Sequence, residues 1–257
     1  MKRVFITGAS SGIGAALAAE YAAQGATLGL LARRGAALAH LIASLPNAGR
    51  HRAYAVDVTE HAALRGAALD FIGHAGGIDI VIANAGLSYG TLTEHAEDLA
   101  VFESIVAANL TASVATFAPF IAAMKAQATP ARLVGIGSVA GIRGLPGAEA
   151  YSASKAAVIS YCESLRIELR ASNIKVVTLV PGYIDTPLTR KNAYRMPFLM
   201  AADKFAAAAA RRIGAGSSYA VIPWQMGAVA KLLRVLPNAV YDAAFARAPH
   251  KARRLAP

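Results

Sequence analysis

The sequence predicts an α/β protein, a parallel β-sheet covered by helices on both faces, and three observations carry that prediction. Short runs rich in β-branched residues alternate with alanine-rich stretches of helix length along all 257 residues. Those runs are apolar almost throughout, as strands buried on both faces are. Helix-length segments separate consecutive runs, which is the spacing of right-handed crossovers between parallel strands.

The first strand is expected at "RVFIT" (3–7), followed by a glycine-rich turn and a helix over 12–24. "TLGLLA" (27–32) reads as the second strand, with a helix over 35–45. "HRAYAV" (51–56) is the third, with a helix over 60–74, and "IDIVIAN" (78–84) is the fourth, leading into a long helical pattern over 98–126. "ARLVGIG" (131–137), "IKVVTLV" (174–180) and "YAVIP" (219–223) complete seven strands, with helices over 151–171, 203–213 and 225–235. No internal repeat or long polar linker divides the chain, so one domain over 1–257 is expected. Residues 187–200 look irregular and 248–257 look like a loose basic tail.

Composition narrows the function classes. Met1-Lys2-Arg3 runs into an apolar stretch too short for the core of a secretion signal. Cys162 is the one cysteine and has no internal partner, which fits a reducing, cytoplasmic setting. Residues 104–124 carry no charge, but Asn109, Thr111, Ser113, Thr116 and Pro119 interrupt them, so a helix buried in protein is expected rather than a membrane span. The net charge of +11 is uneven: residues 187–257 hold 12 Lys/Arg and two acids, a net of +10. No aromatic-basic signature accompanies it, so no nucleic acid is expected. A peripheral contact with anionic membrane, helped by the amphipathic stretch 224–241, is the lesser alternative to a solvated basic face. Six histidines lack metal-ligand spacing, so no metal is expected.

"TGASSGIG" (7–14) places glycines at 8, 12 and 14 between the first strand and first helix. Without Cβ atoms the backbone can approach a pyrophosphate, whose charge the helix N-terminus favours. An NAD site usually has a carboxylate for the ribose 2′-hydroxyl near the end of the second strand. No acid occurs between Glu20 and Asp57, and the second strand ends in Arg33-Arg34. A guanidinium there suits a 2′-phosphate, so NADP(H) is the preferred cofactor and NAD(H) the alternative. Tyr151 and Lys155 stand four apart in a helical stretch and therefore share a face.

Together these residues resemble the classical short-chain dehydrogenase/reductase (SDR) family over nearly the whole chain. "TGASSGIG", with Thr7, Gly8, Ser10, Ser11, Gly12, Ile13 and Gly14, is similar to its cofactor turn. Asn84-Ala85-Gly86 resembles its motif after the fourth strand, and Asp57-Val58 its adenine contact. "PGYIDTP" (181–187), contributing Pro181, Gly182, Ile184 and Thr186, resembles the segment along the nicotinamide. Asn109, Ser138, Tyr151 and Lys155 match the catalytic tetrad in order and spacing. The resemblance implies a Rossmann-type doubly wound sheet of about seven strands and hydride transfer between NAD(P)(H) and a small-molecule carbonyl or alcohol. It also implies a homodimer or homotetramer.

On that reading Tyr151 is the general acid or base and Lys155 lowers its pKa while holding the nicotinamide ribose. Ser138 orients the reacting oxygen, and Asn109 holds a water that links Lys155 to solvent. Ile142, Leu145, Tyr183, Leu188, Phe198 and Leu199 are the expected lining of a small or apolar substrate site, with 187–200 as a lid. Arg143 is read as a solvated loop residue, with a substrate-anion anchor as the rival. A cofactor-binding scaffold or sensor is the alternative function; the intact tetrad speaks against it.

Overall fold

The computed structural model describes residues 1–192 and 194–253. Along the chain, β1 (Arg3–Thr7) leads to α1 (Gly12–Ala23), β2 (Thr27–Ala32), α2 (Gly35–Ser44), β3 (Arg52–Ala55) and α3 (His61–Ala75). Next come β4 (Ile80–Ala83), α4 (Asp98–Val106), a π-helical turn (Ala107–Thr111), α5 (Ala112–Ala126), β5 (Ala131–Ile136) and α6 (Glu149–Glu168). The chain then passes through β6 (Ile174–Pro181), β7 (Ile184–Asp185), β8 (Met200–Ala201), α7 (Ala202–Gly214), β9 (Tyr219–Ile222), α8 (Trp224–Val235) and α9 (Asn238–Phe245). Seven strands form one parallel sheet in the order β3-β2-β1-β4-β5-β6-β9, a Rossmann-type doubly wound fold. The order reverses beside β1, and in such sheets the ligand crevice lies beyond the carboxyl ends of the strands there.

The seven strands correspond to the runs read from the sequence; the central ones are buried from both sides, all six residues of β2 included, whereas β3 at the sheet edge is mostly exposed. On one face Leu17 and Tyr21 of α1 pack with Leu38 of α2 and with Phe205 and Ile213 of α7. On the other, Phe71 of α3, Phe117 and Phe120 of α5 and Val158 and Cys162 of α6 pack against Phe5, Val81 and Leu133. Each of these large side chains contributes roughly 1.5–3 kcal/mol by leaving water. The stretch Asp98–Ala126 is long and apolar enough to cross a membrane, yet Phe117, Phe120 and Met124 on its inner side are fully buried in the core. The pair β7–β8 and helix α9 are additional to the expected elements.

Two expectations are corrected. Residues 248–253 are not a loose tail. Gly90 N–H donates to Ala252 O at 3.0 Å, and Gly90 and Arg253 form a parallel bridge. The Arg253 guanidinium takes both oxygens of the buried Asp98, at 2.8 and 3.0 Å, and Glu97 at 3.0 Å. The acids at the start of α4 thus fold the basic segment back onto the domain; residues 254–257 of the expected tail lie outside the described residues.

Arg143 is neither solvated nor an anion anchor. It donates to the carbonyls of Leu233 and, at 2.8 Å, Leu236, reaches Asn238 Oδ1 at 3.1 Å, and stacks 3.9 Å above the Tyr241 ring. Those are unpaired carbonyls at the end of α8, where a cation is favoured. The Asp57 carboxylate accepts from Thr59 N–H and Oγ1, closing a turn ahead of α3.

Candidate active site

The glycine turn is built by crossing hydrogen bonds between the ends of β1 and β4. Thr7 Oγ1 accepts from the N–H groups of Asn84 and Ala85 at 3.1 and 3.2 Å. Asn84 Nδ2 donates back to Thr7 O and Gly8 O at 3.0 and 3.2 Å. Gly8 and Gly12 adopt φ of +66° and +57°, a region that favours glycine. A Cβ at Gly14 would lie 2.3 Å from Gly8 O, so the first turn of α1 closes onto the strand end only with glycine there.

This turn borders a cavity of about 640 Å³ at the carboxyl ends of the strands. Ser10, Ser11, Gly12 and Ile13 line one wall, with Asn84, Ala85 and Gly86 opposite and Pro181, Gly182, Ile184 and Thr186 along a third side. Thr7, Gly14 and Asn109 stand behind the walls and shape them. The glycine cradle, with the open N-terminus of α1 over it, fits a dinucleotide pyrophosphate.

Beyond β2 the cavity is bordered by Arg33, Arg34, Asp57 and Val58. Arg34 donates to the hydroxyls of Ser10 and Ser11 at 3.0 and 2.9 Å. The Arg33 side chain, 66% exposed, stands 3.8 Å from Asp57. Two guanidinium groups therefore border the cavity beyond the end of β2.

At the other end Ser138, Tyr151 and Lys155 meet on the cavity wall. Ser138 follows β5, and its hydroxyl accepts from Ala140 N–H at 3.2 Å. Lys155 lies one turn from Tyr151 on α6, its Nζ 6.0 Å from the Tyr151 ring centroid, and donates to Ile136 O at 2.8 Å. Burial pushes the Tyr151 phenol upward, and a hydrogen bond with Ser138 opposes that rise. Burial also pulls the Lys155 ammonium down to about 8, with the Cys162 thiol opposing weakly. The Tyr151 pKa is thus raised by burial where a depression by Lys155 was expected, and the Lys155 ammonium is turned toward Ile136 O.

Asn109 belongs to the π-helical turn and is fully buried. Its Oδ1 accepts from Leu87 N–H at 2.7 Å, while Nδ2 donates to Leu87 O at 3.0 Å and Ser154 Oγ at 2.9 Å. Its amide is thereby committed to positioning the loop after β4. A Cβ at Gly86 would lie 2.9 Å from Asn109 Oδ1 and 3.6 Å from Lys155 Nζ, which shows how closely these groups gather.

The short chain dehydrogenase family profile matches residues 2–196. The chain is a short-chain dehydrogenase. An oxidoreductase of Myxococcus xanthus is 36% identical over 249 residues, covering 96% of this chain and 97% of that one. A 3-ketoacyl-(acyl-carrier-protein) reductase of Brucella melitensis, solved with NADH, is 26% identical with a TM-score of 0.78, covering 86% of this chain and 96% of that one. A short-chain dehydrogenase/reductase of Burkholderia phymatum, solved with NAD, has a TM-score of 0.82 over 99% of this chain and 98% of that one at 24% identity, and so speaks to the fold. This short-chain dehydrogenase is therefore an oxidoreductase acting on alcohol or carbonyl groups with a nicotinamide cofactor.

The substrate side departs from the expected apolar lining. Of the six candidates only Leu188 lines the cavity, while Phe198 and Leu199 are 50% and 48% exposed. Ile142 and Leu145 are half-buried in the loop before α6. Tyr183 packs edge-on against Tyr194, their ring centroids 6.3 Å apart. The loop 187–200 is tied at its base by the β7–β8 pair and by Thr189 Oγ1 donating to Ile184 O at 2.5 Å; Ala193 of the expected lid lies outside the described residues. Sequence reading missed Leu87, Tyr194, Ser88 and Lys251. The Lys251 ammonium lies 4.8 Å from the Tyr151 ring centroid, and only the folded path of the chain brings them together.

Proposed function

We propose that this protein interconverts a carbonyl and an alcohol, prefers NADPH over NADH, and uses Tyr151 as its general acid in the reducing direction. The observation that carries the proposal is the convergence of Ser138, Tyr151 and Lys155 on the wall that continues from the glycine turn. The nicotinamide supplies the hydride when bound. Ser138 hydrogen-bonds the substrate oxygen, and Tyr151 donates its phenolic proton to that oxygen as negative charge grows there. Burial keeps Tyr151 protonated through neutral pH, the form a general acid requires. Lys155 sits one helical turn away to interact with the nicotinamide ribose, and Asn109 fixes the Leu87 backbone beside them. Arg33 and Arg34 offer paired N–H donors to a ribose 2′-phosphate. The substrate is a small carbonyl compound whose apolar part meets Leu188, and the working form is a homodimer or homotetramer.

A panel of ketones, aldehydes and alcohols assayed with NADPH and NADH in parallel tests this reading. NADPH-dependent turnover is expected, and Tyr151→Phe should lower kcat by at least about 100-fold while NADPH binding, read by fluorescence, persists. A panel with no turnover, or a Tyr151→Phe variant as active as the wild type, would refute it.

A further inference from the structure

Residues 248–253 bring a cation against the Tyr151 ring. Backbone pairing with Gly90 and the grip of Arg253 on Asp98 and Glu97 fix the path of this segment. Lys251 is thereby seated against the face of Tyr151 and donates to Ser88 Oγ. A hydroxyl satisfies one of the three ammonium donors, and a neutral ring adds only a weak attraction.

No carboxylate among the described residues lies within 4.0 Å of Lys251 Nζ. The acids on the neighbouring stretch, Glu97 and Asp98, are taken by Arg253. Burial accordingly pulls the Lys251 pKa down to about 8, with nothing opposing it. A buried cation without a counter-charge beside a reacting phenol is costly, and an anion on the substrate would relieve it.

We propose that Lys251 is an anion-binding residue of the substrate site, and that the carbonyl substrate carries a carboxylate or phosphate which pairs with it. This rests on the oxidoreductase reading above and narrows its substrate class. The cation packs behind the cavity wall on Tyr151, which lines the cavity beside Ser138 and Lys155, so it addresses the substrate and not the adenosine end.

The test is a series of straight-chain oxo acids with the carboxylate one to four carbons from the ketone. Each is assayed beside its methyl ester and the corresponding phosphate-bearing ketone, with NADPH. In the wild type kcat/KM should favour one anionic member over its ester by about 10–100-fold, the scale of a charge-assisted hydrogen bond. Whether carboxylate or phosphate wins identifies the anion. Lys251→Met should abolish that ratio and Lys251→Arg should retain most of it, with melting temperatures verifying that both variants fold. A wild type that does not discriminate, or a Lys251→Met variant with the same ratio, overturns the proposal. Should nothing in the series turn over, which counts against the oxidoreductase reading, calorimetric titration of the same oxo acids into the NADPH-mixed wild type and Lys251→Met decides. Binding lost in the variant upholds the anion site; equal binding, or none in the wild type, overturns it.

Discussion

Two ammonium groups flank the Tyr151 ring, Lys155 at 6.0 Å and Lys251 at 4.8 Å from its centroid. The Lys155 burial has a consequence for stability that can be signed. Its pKa falls from 10.5 to about 8 on folding, so below pH 8 both states are charged and the full desolvation penalty is present. Between pH 8 and 10.5 the folded state has released the proton that the unfolded chain keeps, so stability rises with pH, by an order of magnitude of about 3 kcal/mol. Lys155→Met carries no charge and lacks this slope. Its urea midpoint should exceed that of the wild type at pH 7, with the gap closing between pH 8 and 10; a gap independent of pH would contradict the assignment. At the other end of the cavity, Arg33→Ala should weaken NADPH by roughly 10–100-fold, the loss of a charged hydrogen-bond pair, and NADH by little. Equal losses in equilibrium binding would remove Arg33 from the 2′-phosphate. The Tyr151–Lys155 pair was legible because its spacing is local. Their pKa shifts were not, since burial and the turn of Lys155 toward Ile136 O depend on β5 lying beneath the helix.

At the scale of elements, Arg143 joins the loop before α6 to the end of α8 and to α9. Three carbonyl-type acceptors and a stacked ring make it a staple between segments 90 or more positions apart. Arg143→Ala should lower stability by about 1.5–3 kcal/mol, the range for hydrogen bonds to a charged group, leaving NADPH affinity unchanged. Chemical denaturation beside a fluorescence titration measures both, and loss of NADPH affinity at unchanged stability would place Arg143 in the site instead. The main strands could be read from the sequence because a continuous apolar run buried on both faces has few other uses. Helix α9 could not, since "NAVYDAAF" is two turns long and is defined by Tyr241 docking under Arg143 and donating to Gly144 O at 2.6 Å. The β7–β8 pair is two residues per strand, and only the return of the 187–200 loop creates it.

Across the whole molecule, the basic C-terminal third splits into two uses. Arg190 pairs with Asp185 and Arg253 with Asp98 and Glu97, whereas Lys231 and Arg234 stay on the outer side of α8. Beside them Trp224, Leu232 and Val235 are exposed, apolar side chains that the sheet leaves uncovered. Together with the proposed oligomer, this exposure predicts light-scattering masses of two or four times the 26.5 kDa chain. A monomer at micromolar concentration would contradict it. The cofactor half of the site was legible because its glycines, Asn84 and arginines fall at fixed places after successive strands. The substrate half was not, because Lys251 and Tyr151 are 100 positions apart in sequence and nothing local links them.

The π-helical turn at Ala107–Thr111 has a consequence of its own. Before it, Val101 and Ile105 keep one helical phase toward the interior; after it, Ser113, Phe117, Phe120 and Met124 keep another, displaced by about one residue or 100°. The wide turn accommodates that displaced residue, and Asn109 is where the two phases overlap. Deleting any one residue from this turn would restore an unbroken α-helix while rotating either Asn109 or the Phe117–Phe120 face out of register. The helix would survive the deletion, and the site and the core could not both do so.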